Sequence, residues 1–180
     1  KLMKVDSKRL ANDNTNPLNQ VDKITNAQTG DINGDGKPDV VINNLFGTSY
    51  GIKVFMTIPA STSTSTVNPT PPGTNPGIYN VRDLGNGLFK AKSRVVDLNN
   101  DGQAEVVVAG LTSSFASGKF NLFVYSFDKK TGNFVSTDLS SQIATLNSAV
   151  FDLGDIDNDQ DIDLIVSGFS SSGGYKSYVY

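Results

Sequence analysis

The sequence predicts an all-β protein, a short array of propeller-like blades. One acidic phrase occurs three times, each copy runs into an apolar β-branched segment, and helical periodicity is weak throughout. The copies are Asp31-Ile-Asn-Gly-Asp-Gly-Lys-Pro-Asp39, Asp97-Leu-Asn-Asn-Asp-Gly-Gln-Ala-Glu105 and Asp155-Ile-Asp-Asn-Asp-Gln-Asp-Ile-Asp163. They start 66 and 58 residues apart, at 31, 97 and 155.

The elements follow in order around each copy. Before the loop lies a candidate strand, clearest at Ser93–Val96 and Ala149–Phe151. After it come Val40-Val41-Ile42, Val106-Val107-Val108 and Leu164-Ile165-Val166; the last two continue to Ala109-Gly110 and Ser167-Gly168. A Gly/Ser-rich turn then leads to an aromatic, alternating stretch: Ile52–Ile58, Phe120–Phe127 and Tyr175–Tyr180. A fourth, outer strand is expected near Asn133–Ser136, and the best short helix candidate is Leu139–Leu146. The repeat units are approximately 20–60, 78–137 and 143–180, within a single domain spanning 1–180. That makes about two and a half to three blades. Sheets of this size cannot bury both faces alone, so neighbours must stack.

Composition narrows the chemistry. The chain has 180 residues, 37% hydrophobic, with no Cys, His or Trp. Missing Cys removes disulfides and thiolate sites; missing His removes the commonest general base and the usual zinc ligand. Any metal site must use oxygen, which points to a hard cation. The net charge is −3, yet most of the 18 acidic residues sit in the three loops, facing 15 scattered Lys and Arg. No apolar run approaches the roughly 20 residues of a spanning helix, so membrane insertion is not expected. The chain opens at Lys1, not at an initiator Met, and is expected to be a mature product or a fragment.

Alternate positions of a tight loop point inward together. In the first copy, Asp31, Asn33 and Asp35 offer side-chain oxygens, Lys37 its carbonyl, and Asp39 a further carboxylate. In the second the set is Asp97, Asn99, Asp101, the carbonyl of Gln103, and Glu105. In the third it is Asp155, Asp157, Asp159, the carbonyl of Asp161, and Asp163. Five protein ligands plus water suit Ca2+, up to three ions in all; magnesium is disfavoured because it keeps its waters. Position 6 must turn with positive φ, and Gly36 and Gly102 serve, whereas Gln160 costs about 1–2 kcal/mol if left-handed. The third loop has four ligand carboxylates against three, which offsets part of that. An EF-hand is excluded, because position 12 is Ile42, Val108 or Val166 instead of Glu. The plain alternative is a solvated turn. Three copies in one strand context favour metal. Apolar Ile32, Leu98 and Ile156 at position 2 are expected to pack back onto a sheet.

At these residues the chain resembles the FG-GAP, or VCBS, repeats of integrin α-subunit-type β-propellers. The likeness rests on Asp-x-Asp/Asn-x-Asp-Gly-x-x-Asp/Glu followed by an apolar strand, and covers roughly 20–180 outside the insertion described next. It implies blades of a usually seven-bladed propeller with calcium in loops between strands, and no particular ligand. With too few blades to close a ring, the expectation is part of a larger propeller or an assembled one; Lys1–Leu10 could supply a missing outer strand.

The remaining features are weaker. Ser61–Gly77 is a Ser/Thr/Pro-rich insertion, read as a flexible surface loop with O-glycosylation as the alternative. Phe115, Phe120, Phe123, Tyr125 and Phe127 read as core, with a sugar-stacking platform as the rival; Tyr175, Tyr178 and Tyr180 are ambiguous in the same way. Arg82, Lys90, Lys92 and Arg94 read as a solvated basic face, with no nucleic-acid motif. No nucleophile elbow, P-loop or dinucleotide fingerprint is present, so an enzyme is not expected. The leading expectation is an extracellular, secreted or cell-surface, calcium-binding adhesion or binding module whose metal is structural. Its protein or glycan ligand is not identified by the sequence. The alternatives are a subunit of an extracellular fibre or layer that self-associates through open sheet edges, and an accessory propeller of a secreted carbohydrate-active enzyme.

Overall fold

The computed structural model describes residues 23–46, 49–57, 79–112, 119–143, 146–170 and 172–180. Eleven strands account for the regular structure of these residues: β1 (Lys23–Gly30), β2 (Asp39–Phe46), β3 (Ser49–Thr57), β4 (Tyr79–Asn86), β5 (Phe89–Val96), β6 (Glu105–Leu111), β7 (Phe120–Asp128), β8 (Asn133–Asp138), β9 (Leu146–Gly154), β10 (Asp163–Ser170) and β11 (Tyr175–Val179). They form three antiparallel meanders: β1-β2-β3-β4, β5-β6-β7-β8 and β9-β10-β11. This bears out the all-β class and the blade-like units.

Each acidic loop joins the first two strands of its sheet, and the ladder closes at once beside it. Gly30 pairs with Asp39, Val96 with Glu105, and Gly154 with Asp163. The expected outer strand of the middle unit is β8, paired along β7.

Two expectations need correction. Residues 79–86 pair with β3, so β4 is the outer strand of the first sheet, although repeat spacing assigns it to the second unit. Residues 61–77 therefore fall between the third and fourth strands of one sheet. Leu139–Leu146 is not a helix: Leu139–Ile143 form a turn, with Gln142 N–H donating to the Leu139 carbonyl, and β9 starts at Leu146. The segments 1–22 and 58–78, which include Lys1–Leu10 and the Ser/Thr/Pro insertion, lie outside the described residues, as does Phe115.

Burial explains the stacking. Every residue of β6 is buried, because its two faces serve two cores. Val106 and Val108 join Ile32, Val41, Ile52, Val54 and Met56 between the first and second sheets. Val107, Ala109 and Leu111 join Leu122, Leu146, Phe151 and Val166 between the second and third. The period-two alternation of a strand thus feeds both neighbours. Gly110 is required by close approach: a Cβ there would lie 2.7 Å from the Leu88 Cβ and 2.9 Å from the Ala91 Cα. The aromatic set divides the same way, Phe120 into the second core and Phe123, Tyr125 and Phe127 against the first. Polar links tie the sheets together. Asn26 Oδ1 accepts from Ser93 N–H and Oγ, and Arg94 Nε meets Asp152 Oδ1 at 2.8 Å.

Candidate metal centre

The three loops share one hydrogen-bond skeleton. The position-5 N–H donates to the carboxylates or amide of positions 1 and 3: Asp35 to Asp31 and Asn33, both at 3.0 Å; Asp101 to Asp97 and Asn99, at 3.1 and 3.0 Å; Asp159 to Asp155 and Asp157, at 3.1 and 3.2 Å. The position-6 N–H donates to the second oxygen of position 1: Gly36 to Asp31, Gly102 to Asp97 and Gln160 to Asp155. The position-7 N–H donates to position 5, from Lys37, Gln103 and Asp161. The shared position-5 N–H draws the oxygens of positions 1 and 3 together, the position-5 carboxylate accepts from position 7, and each carboxylate oxygen keeps a lone pair to spare.

Position 9 also braces the start of the loop. One oxygen of Asp39, Glu105 or Asp163 accepts the position-2 N–H of Ile32, Leu98 or Ile156, at 3.0, 2.9 and 2.8 Å. Asp39 also accepts Thr57 N–H at 2.7 Å, tying the loop to the end of β3.

The third loop brings carboxylate oxygens of Asp155, Asp157 and Asp159 within 4.8 Å of one another. Asp163 lies outside that trio. A trio of exposed carboxylates this close fits a small hard cation. The first two loops have Asn33 and Asn99 in the middle of the trio and so carry less repulsion. Among the described residues no hydrogen bond reaches the carbonyls of Lys37, Gln103 or Asp161, which leaves these oxygens open to an ion. Electrostatics agree with the crowding. The charge of Asp159 raises the Asp157 pKa above the ordinary carboxylate value. Burial raises those of Asp39 and Glu105, with Asp35 adding at the first and Asp101 and Asp97 at the second.

Backbone conformation completes the match. Position 6 is left-handed in all three, with φ of 81° at Gly36, 82° at Gly102 and 78° at Gln160. Position 4 is left-handed too, at Gly34, Asn100 and Asn158. Sequence reasoning missed position 4, although Gly and Asn are the residues that accept this region most readily. Position 2 packs as expected in two loops. Ile32 is buried in the first core and Leu98 lies against the second, whereas Ile156 is 50% exposed.

The comparison with family models now has a structural frame. The FG-GAP repeat matches residues 25–53, which cover most of β1, the first loop, β2 and the first half of β3. The FG-GAP-like repeat matches 97–166, from the second loop into β10, and includes the third. The chain contains FG-GAP repeats. Such repeats suggest a propeller-type binding module, and the three stacked sheets are consistent with partial propeller blades. No curated protein matches the chain.

Proposed function

We propose that these FG-GAP repeats form an extracellular, non-catalytic binding or adhesion module whose loops hold structural calcium. The observation behind this reading is the common hydrogen-bond skeleton that three different loop sequences share, with the close carboxylate trio of the third loop beside it. Asp31, Asn33 and Asp35, their counterparts Asp97, Asn99 and Asp101, and Asp155, Asp157 and Asp159 would hold the ions. The position-7 carbonyls and the second oxygens of Glu105 and Asp163 would complete the donor sets, whereas both oxygens of Asp39 already accept backbone N–H groups. Calcium would supply positive charge among crowded carboxylates and lock the turn between two strands. The deciding experiment is calorimetric titration of chelator-stripped protein with calcium. Saturable binding that disappears from one site in Asp101→Ala is the expected result, and no heat at millimolar calcium would overturn the reading.

A second reading, self-association, is favoured by the outer face of the third sheet. Val150, Phe169 and Val179 there are 55%, 42% and 61% exposed. Sedimentation at several protein concentrations separates a monomeric module from an assembling one.

A further inference from the structure

A cleft of about 400 Å³ opens between the outer strands of the first two sheets, lined by Arg82, Asp83, Leu84, Tyr125, Asn133, Phe134 and Ser136. It lies at the opposite edge of these sheets from β1 and β5, away from the strand that each acidic loop follows. We propose that this cleft binds a small hydroxylated carboxylate of the hexuronate class, anchored by Arg82.

The anchor is unusual among the charged side chains. Arg82 lies opposite Val54 in the ladder, on the face that meets the second sheet. One Nη donates to Asn80 Oδ1 at 2.9 Å, while Nε is buried with no hydrogen-bond partner. Among the described residues no carboxylate lies within ion-pair distance of it. A desolvated guanidinium N–H without an acceptor is a net cost to the fold. An arriving carboxylate can remove that cost by accepting from the Nε–Nη edge as a bidentate partner.

The neighbouring acid does not fill this role. Asp83 points its Oδ2 at Lys53 Nζ, 3.1 Å away, and its Oδ1 accepts from Gly85 N–H. Its charge is engaged by groups other than Arg82.

The rest of the lining selects for hydroxyls. Among the described residues the hydroxyls of Tyr125 and Ser136 have no hydrogen-bond partner. Asn133 spends its Nδ2 on the Thr131 carbonyl and keeps its amide oxygen. Burial, with the charge of Asp138 as a smaller contribution, raises the Tyr125 pKa, so the phenol stays a donor. The Phe134 ring, held by Phe127 at 5.3 Å between centroids, and the Tyr125 ring supply flat apolar surface. The volume is at the small end of ligand sites. A cation without an ion-pair partner, an acid already paired with Lys53, three neutral polar groups and two rings in that space match a sugar acid better than a simple apolar anion or a neutral sugar.

This inference goes beyond the binding-module reading and does not depend on calcium in the loops. The test is a titration of the full chain, in calcium, with glucuronate, glucose and acetate in turn, followed by amide chemical shifts. Calcium binding is measured on the same samples. Glucuronate is expected to bind about tenfold or more tightly than either control. Its shifts should centre on β4 and β8, and Arg82→Gln should reduce it to the level of glucose. Arg94→Gln, on β5 and facing the third sheet, should leave it unchanged. Should Arg82→Gln fail to fold, the pair Tyr125→Phe with Ser136→Ala carries the test through a severalfold weakening. Equal affinity for the three probes, no binding, or unaltered glucuronate affinity in these variants overturns the proposal. Loss of calcium binding with glucuronate binding intact would count against the calcium reading alone.

Discussion

Position 6 of the third loop shows how one residue can hold a conformation that its chemistry disfavours. Gln160 sits at φ 78°, in register with Gly36 and Gly102. An L-residue there gives up about 1–2 kcal/mol, of which the greater freedom of an unfolded glycine takes back roughly 0.5–1. Gln160→Gly should therefore stabilise the protein modestly, by about 1 kcal/mol or less, read as a higher urea midpoint at unchanged slope. Nothing lies within 4 Å of a Cβ built on Gly36, so Gly36→Ala should cost only the same net conformational difference, about 1 kcal/mol or less. A larger loss would point to a contact that the loop geometry does not contain. Asn43 presents the opposite case. It is 2% exposed, and neither its Oδ1 nor its Nδ2 has a partner. Replacing an unpaired buried amide by a similar apolar shape removes a desolvation cost of about 1–3 kcal/mol. Asn43→Leu should accordingly raise the melting temperature, and a fall would mean that the amide has a bound water or ion to lose.

At the scale of the loop, folding assembles like charges, and metal should decide the sign of their effect. Burial raises the Glu105 pKa above its ordinary value of 4.5. Between the unfolded and the raised folded value the folded state holds more protons than the unfolded one. Without metal, stability therefore falls as pH rises through that window. Glu105→Gln keeps an acceptor for Leu98 N–H and abolishes the titration. In chelator, wild type should lose stability relative to this variant as pH rises from the unfolded pKa through the folded one. In calcium the trend should reverse, because the ligand set must be deprotonated to bind. Urea melts across that range, with and without chelator, read both slopes. The gain from metal has a natural size. At free calcium about 100 times the dissociation constant, one site adds about 2.7 kcal/mol, roughly 5–10 °C for a chain of this length. Chelation should remove this at every occupied loop, and Asp35→Ala or Asp101→Ala should remove one share; an unchanged melt in chelator would contradict the calcium reading. The left-handed turn at position 6 was legible because Gly36 and Gly102 mark it locally. Position 4 carries a weaker signal, because Asn100 and Asn158 accept the left-handed region without requiring it, and the close approach of Lys129 and Gln103 to Gly34 is long-range. The Thr57 N–H that reaches Asp39 comes from 18 residues away, and no spacing rule announces it.

The whole molecule is a stack in which each sheet lends one face to the next, and this arrangement was only half visible in the chain. Apolar β-branched runs marked β2, β6 and β10, and alternation marked β3, β7 and β11, but sheet membership is a long-range property. β4 returns to the first sheet across 21 intervening residues from 58 to 78, and its polar Arg82, Asp83 and Gly85 gave no apolar run to follow. The stack also identifies its own open surface. Val107 faces the third sheet, and its counterpart in the third loop's strand is Ile165; likewise Leu111 corresponds to Phe169, and Val124, which pairs with Val107, to Val179, which pairs with Ile165. In the second sheet these positions lie in or against a core, whereas Phe169 and Val179 are exposed, beside Val150 and Tyr175 at 55% and 87%. Ile156 follows the same logic, since Ile32 and Leu98 pack toward a following sheet and Ile156 meets none among the described residues. A contiguous apolar face of this kind favours association. Under the self-association reading, calcium-loaded protein should sediment with a concentration-dependent mass, and Phe169→Ser with Val179→Ser should return it to the monomer. The same double variant should leave calcium binding unchanged, because neither side chain belongs to a loop. A wild-type chain that stays monomeric at high concentration would remove self-association while leaving the module reading intact, so the two readings part on one measurement.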